Sequence, residues 1–195
     1  MALKHSPKNE FSDLQVISGC KEGVAKYEEL LYRRFFSYAM SIAVRYIGNS
    51  EDAIEVVNDS FLKVFDNLSE FDTSKPFKAW FARIVVNTAI DSYRKNLKHD
   101  HGITDLEDGV HQWNEREPMA EVQLAAEDIL RMFDKLPHTY RVIFNLYEIE
   151  GYSHNEIGEM LGIAESSSRA ALTRAKRMLR EQYEIYNKVK MSCNG

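Results

Sequence analysis

The chain has 195 residues and a mass of 22.6 kDa, with 44% hydrophobic and 28% charged side chains. That balance excludes a disordered chain, a collagen-like repeat and a disulfide-stapled miniprotein. No apolar run approaches the roughly 18–20 residues that cross a bilayer, and the polar stretch Met1–Glu10 lacks the apolar core of a secretory signal.

A cytoplasmic protein is therefore expected. Its two cysteines, Cys20 and Cys193, lie in no CxxC or Cys/His pattern, so a reduced protein with no structural zinc and no cofactor is expected. The net charge of −5 argues at first against a nucleic-acid partner. The distribution of charge argues the other way. Residues 99–121 hold one basic and seven acidic side chains, whereas residues 1–98 hold 14 basic and 13 acidic. Outside the acidic segment the chain is near neutral, and basic clusters can exist locally. Arg169, Arg174, Lys176, Arg177 and Arg180 form one, with no acid among them between 169 and 180.

Apolar residues recur at three- and four-residue spacing and alternate in twos only rarely, so the fold class is all-α. Leu31, Phe35, Tyr38, Ile42 and Tyr46 make the first stripe, in a helix ending near Gly48-Asn49. Ser50 then reads as the N-cap of a second helix, with Glu51 and Asp52 at its positive end. Its apolar face is Ile54, Val57, Phe61, Val64/Phe65 and Leu68. After a break at Ser69–Pro76, a third helix from about Phe77 to Lys98 buries Trp80, Phe81, Ile84, Val85 and Ile90. Periodicity lapses over 99–118, where two glycines, a proline and the acidic excess mark a flexible linker. Helices resume near Met119, with Leu124, Ile129 and Phe133. Pro137 starts a further helix through Tyr140, Ile143, Phe144 and Tyr147, and Gly151 ends it.

Ser153 and Glu156 form a capping box that starts a short helix. Gly162 closes it in the left-handed conformation. Gly158, four residues earlier, is the small residue needed where two helices of a helix-turn-helix cross closely. The following helix points Leu172, Ala175 and Leu179 inward and Arg169, Ala170, Thr173, Arg174 and Arg177 outward. Serines at its start offer hydroxyls and backbone amides to a phosphate, and arginine suits guanine edges in the major groove.

Two polar stripes mark the N-terminal helices. Asp52, Glu55, Asp59 and Lys63 form a mostly acidic ridge, which by itself reads as a solvated face or as a docking surface for a basic partner. Arg83, Asn87, Asp91 and Arg94 recur along the third helix, followed by Lys95 and Lys98. Upstream, Phe71, Phe77 and Trp80 bracket a loop containing Lys75 and Lys78. Aromatics beside basic groups can hold an unstacked base and its phosphate, and the Asn87 amide can both donate to and accept from a base edge.

The runs EDAIEVVNDSFLKVFDN (51–67), AWFARIVVNTAIDSYRK (79–95) and LPHTYRV (136–142), followed by 150–180, resemble bacterial sigma factors of the extracytoplasmic-function group. The resemblance covers roughly residues 20–185. It implies an N-terminal extension (1–20), a sigma region 2-like bundle (21–98), an acidic linker (99–118), a sigma region 4-like helix-turn-helix domain (119–187) and a tail (188–195). It further implies a non-catalytic subunit that binds core RNA polymerase and promoter DNA, both as duplex and as melted non-template strand. An anti-sigma factor is an expected inhibitor.

Residue by residue, Asp52, Glu55, Asp59, Phe61 and Lys63 look like the surface docking on the polymerase clamp. Phe71, Lys75, Phe77, Trp80, Arg83, Asn87 and Arg94 look like the part that melts and reads the minus-ten element. Ser167, Ser168, Arg169, Ala170, Thr173 and Arg174, with Lys176 and Arg177 near phosphates, look like the reader of the minus-thirty-five element. The acidic linker would lie along basic polymerase channels.

The chain departs from the family pattern at Ser166-Ser167, where Gly-Thr is common, and at Ala170-Ala171, where Ser-Arg is common. The resemblance implies that the missing basic group at Ala171 weakens a phosphate contact and that Ala170 alters base preference. Gly158 replaces a commoner alanine, and Ile54 a commoner polar residue. Two rivals make different predictions. A one-component helix-turn-helix regulator would bind a palindromic duplex without polymerase. A metal-dependent enzyme would need His99, Asp100, His101 and His111 as ligands, all set in the linker.

Overall fold

A computed structural model describes residues 11–99, 128 and 131–193. The expected linker, the candidate ligands Asp100, His101 and His111, and the expected core positions Leu124 and Ile129 lie outside the described residues, as does the His99 side chain. Among the described residues there is no strand. None of their helices is long and apolar enough to cross a membrane, and no three of their His, Cys, Asp or Glu side chains group as metal ligands. The chain divides into one unit of Met1–Val44 with Asn49–Ala89 and another of Arg45–Gly48 with Ile90–Gly195.

The first unit is built by α1 (Asp13–Lys21), α3 (Ser50–Asn67) and most of α2 (Ala25–Ile47) and α4 (Phe77–His99), whose ends from Arg45 and from Ile90 fall in the second. Apolar periodicity announces helices only beyond residue 21 and does not reveal α1. That helix is set by a capping box, with Ser12 accepting from the Gln15 amide and Gln15 from the Ser12 amide, and it buries Val16 and Ile17. Asn49 rather than Ser50 caps α3, because Asn49 takes the extended conformation and its side chain accepts from the Asp52 amide at 2.8 Å. The core is aromatic. Phe61 lies 4.8 Å from Phe81 and Phe35 lies 4.9 Å from Phe77, centroid to centroid. Leu31, Val57, Val64 and Val85 fill the space around them with no solvent exposure.

In the second unit Pro137 caps α5 (His138–Phe144), which widens into a π-helical turn at Asn145–Ile149. The capping box at Ser153 and Glu156 starts α6 (His154–Leu161), and Gly162 ends it at φ 70°. A single long helix, α7 (Glu165–Cys193), follows. Val142, Ile143, Leu146, Ile157, Leu161, Ala171, Leu172 and Ala175 form the buried centre. Arg141 is buried too. It donates to the Asp134 carbonyl at 2.9 Å and pairs with the Asp134 carboxylate at 3.6 Å, so the charge is not left alone in the interior. Burial pulls the Arg141 guanidinium down from its ordinary pKa while the Asp134 charge opposes that; burial pushes the Asp134 carboxyl up.

Candidate nucleic-acid interface

On α3, Asp52, Glu55 and Asp59 are exposed along one face, and Asp52 sits in the first turn, where the helix dipole favours an anion. Phe61 does not share that face: only 2% of it is exposed, and its ring packs on Tyr32 and Phe81. The aromatic ring is therefore a support beneath the ridge. The neighbouring Leu62 is the exposed apolar side chain, at 61%, and Ile54 is exposed too, about 80° around the helix from it. Periodicity alone points Ile54 inward and gives no signal at Leu62. Exposed apolar side chains thus border the acidic ridge, a mixture suited to a protein partner.

Lys63 lines a cleft formed by the end of α3 and the start of α4. Lys63, Asn67, Glu70, Trp80, Ile84 and Asn87 line an open surface depression of about 430 Å³. Trp80 and Asn87 both line it, and Asn67 and Glu70 join them without a signal in the sequence. Phe71 and Phe77 occupy a different place, being nearly buried. Phe71 packs on Trp80 at 4.9 Å and on Phe77 at 5.6 Å. They fix the two ends of the connecting loop and leave its middle, 72–76, exposed. Within that loop the Asp72 carboxylate accepts from the Ser74 amide and hydroxyl at 3.0 and 2.7 Å, and these bonds hold its pKa below the ordinary range. Lys75 lies 3.7 Å from the same carboxylate. Arg83 and Arg94 are exposed on α4.

At the helix-turn-helix the glycines behave as the sequence requires. A Cβ on Gly158 would stand 2.9 Å from the backbone oxygen of Ile163, so the crossing admits hydrogen alone. Ser167, Arg169, Ala170, Thr173, Arg174, Lys176 and Arg177 are all exposed on α7. Ser168 is not. It has no solvent exposure, and its hydroxyl bonds His154 Nδ1 at 2.9 Å. Ala171 is 1% exposed, so its position faces the core and loses no phosphate contact.

Three of the exposed cations on α7 are already engaged. Arg169 pairs with Glu165, Lys176 with Glu148 at 2.6 Å, and Arg177 with Glu181 at 3.8 Å. Such surface pairs are worth about 0–1 kcal/mol, so a phosphate can displace them. Arg174 differs, because its guanidinium donates to the hydroxyl of the buried Tyr140 at 3.3 Å and is aimed by it.

Family models match both units: Sigma-70 region 2 over residues 31–98 and Sigma-70, region 4 over residues 126–179. Curated relatives agree. Over 171 residues the chain is 27% identical to the ECF RNA polymerase sigma factor SigE of Mycolicibacterium smegmatis, the match covering 84% of this chain and 64% of that relative. Less than two thirds of that protein's length is therefore spanned. The chain is 29% identical over 145 residues to the RNA polymerase sigma factor SigV of Bacillus subtilis, covering 72% of this chain and 81% of the relative. It is also 26% identical over 185 residues to the ECF RNA polymerase sigma-E factor of Haemophilus influenzae, covering 90% and 97%.

The chain belongs to the sigma-70 family, in its extracytoplasmic-function group. In this sigma factor α3 and α4 fall within region 2, and α5, α6 and the first half of α7 within region 4. Helix α1 precedes the matched segment. Its signal in the sequence is Ser12 followed by Gln15, the same capping-box spacing that reveals α6.

Proposed function

We propose that this sigma factor docks on core RNA polymerase through the exposed face of α3 and reads promoter DNA with both units. The first unit takes the unstacked minus-ten strand and the second the minus-thirty-five duplex. The observation that carries the reading is the cleft at Lys63, Asn67, Glu70, Trp80, Ile84 and Asn87. It offers an indole face for stacking, amides that donate and accept, and a cation for the backbone, which together suit a flipped base. Stacking contributes about 1–3 kcal/mol per base and offsets an unpairing cost of a few kcal/mol.

Asp52, Glu55, Asp59, Leu62 and Ile54 form the docking face, with Phe61 beneath. Arg83, Arg94 and Lys75 meet the phosphates of the opened strand, while Phe71 and Phe77 hold the loop. On α7, Ser167, Arg169, Ala170, Thr173 and Arg174 face the duplex, and Lys176 and Arg177 its phosphates. The factor works in the cytoplasm and supplies no chemistry of its own, which stays with the polymerase. An anti-sigma protein that covers the same faces would hold it inactive. Anchoring two weak readers on one large enzyme raises their effective concentration on a single promoter.

The test compares promoter binding with and without core polymerase. Tight binding and strand opening are expected only with core; Asn87→Ala reduces opening, and Asp52→Lys with Asp59→Lys reduces holoenzyme yield. Duplex binding by the isolated chain as tight as by holoenzyme would overturn the reading.

A further inference from the structure

The start of α7 is held by a polar contact that no part of the duplex-reading surface uses. Ser168 is fully buried in the first turn of the helix, and its amide donates to the Ala164 carbonyl at 3.1 Å. The Ser168 hydroxyl is bonded to Nδ1 of His154, the first residue of α6. The His154 ring is itself 8% exposed and stacks on Tyr147 at 4.4 Å, in the π-helical turn that follows α5. One chain of contacts, Tyr147 to His154 to Ser168, thus joins three elements at the corner of the helix-turn-helix.

We propose that His154 is a positioning residue for duplex recognition, acting through Ser168 to set the roll of α7 about its own axis. This rests on the reading of α7 as the duplex reader. Ser167 and Arg169, the neighbours of Ser168, are both exposed, and each lies about 100° around the helix from it. A small rotation at Ser168 therefore carries both across the groove. Downstream, the roll is constrained by Ala171, Leu172 and Ala175, apolar contacts that tolerate sliding. A hydrogen bond between two buried groups does not, because its energy falls steeply with angle and either partner left alone keeps its desolvation penalty. At the crossing itself Gly158 has no side chain with which to fix an angle, so the His154–Ser168 bond supplies the directional restraint there.

The experiment uses holoenzyme and a duplex library randomised over the minus-thirty-five block. Wild-type holoenzyme selects a sequence, and the readout is the ratio of affinities for the selected sequence and the unselected pool. That ratio does not depend on the fraction of active protein, so a merely structural loss leaves it unchanged. Ser168→Ala and His154→Leu lower it about three- to tenfold, whereas His154→Asn, whose amide can replace Nδ1, retains most of it. An unchanged ratio in helical, core-binding Ser168→Ala and His154→Leu proteins would overturn the proposal. Arg174→Ala is the control in the same assay. If wild-type selects nothing, or Arg174→Ala leaves the ratio intact, the assignment of α7 as duplex reader is what fails. If Arg174→Ala collapses the ratio and the Ser168 and His154 variants do not, only the positioning role fails.

Discussion

The ammonium of Lys21 donates to the carbonyl oxygen of Phe71 at 3.1 Å, tying the last residue of α1 to the start of the loop before α4. Helix α1 is itself firmly seated. Gly19 lies so close to the Tyr27 ring that a Cβ there would overlap it, and Arg34 holds the other end through the Phe11 carbonyl at 2.9 Å and the Asp13 carboxylate at 2.6 Å. The loop that leads into the Trp80 cleft is therefore anchored from outside the segment matched by the region 2 family model.

Lys21→Met removes that anchor and should slow strand opening on a duplex promoter. One hydrogen bond is worth about 0.5–1.5 kcal/mol, which corresponds to roughly two- to tenfold. Permanganate reactivity of the opened strand measures it. Opening on a template already unpaired at the minus-ten block should be nearly normal, and holoenzyme yield unchanged.

Helix positions are legible in the sequence because capping boxes and left-handed glycines act locally. Ser153 with Glu156 and Gly162 mark α6 at both ends, as the structure has it. Depth is less legible, for a physical reason. Periodicity gives the direction of a side chain, while burial depends on what packs there. Phe61 and Leu62 are adjacent and both apolar, yet only the second is exposed. Polarity points Ser168 outward, although it shares a helical face with Leu172 and Ala175 at four- and seven-residue spacing. Its partner His154 lies fourteen positions away, and no local pattern joins them.

The contrast between Phe61 and Leu62 gives a paired test of the docking face. Leu62→Arg changes a side chain that is 61% exposed and should weaken core binding with little change in thermal midpoint. Phe61→Ala removes a ring from the aromatic core and should cost about 3–5 kcal/mol of stability. Calorimetry beside a core-polymerase pull-down separates the two effects.

The surroundings of Gly158 leave no room for a side chain. Alanine would gain up to about 1 kcal/mol of helix propensity, but its methyl would meet the backbone oxygen of Ile163 at 2.9 Å. Backbone cannot yield as a side-chain tip can. Gly158→Val should therefore lose about 1–3 kcal/mol in denaturant unfolding and weaken duplex binding, with core binding retained.

Burial, together with Arg169 and Lys176, lowers the pKa of His154, and Glu165 opposes them. Tyr147 stacks on its other side, and Glu148 partly neutralises Lys176. The folded state thus binds a proton less readily than the unfolded chain, whose histidine titrates near about 6.5. Stability from this group is complete above that pH, declines as the pH falls through it, and is lost below the folded pKa. The thermal midpoint of wild-type protein should drop between pH 7.5 and pH 5 by more than that of His154→Asn. Equal drops would assign the acid sensitivity to other groups.

Arg174 and Lys176 sit two residues apart on α7 yet should fail differently. The Tyr140 hydroxyl aims the Arg174 guanidinium, so it can present a fixed fork to a base edge, and Arg174→Ala should relax discrimination at one position by about 1–3 kcal/mol. Lys176 is held by the exposed Glu148 carboxylate, a pairing that a phosphate can replace at little cost. Lys176→Ala should weaken all duplexes alike and reduce the slope of log affinity against log salt by about 1. A salt titration of holoenzyme on matched and scrambled duplexes measures both. A change in slope for Arg174→Ala with discrimination intact would exchange the two roles.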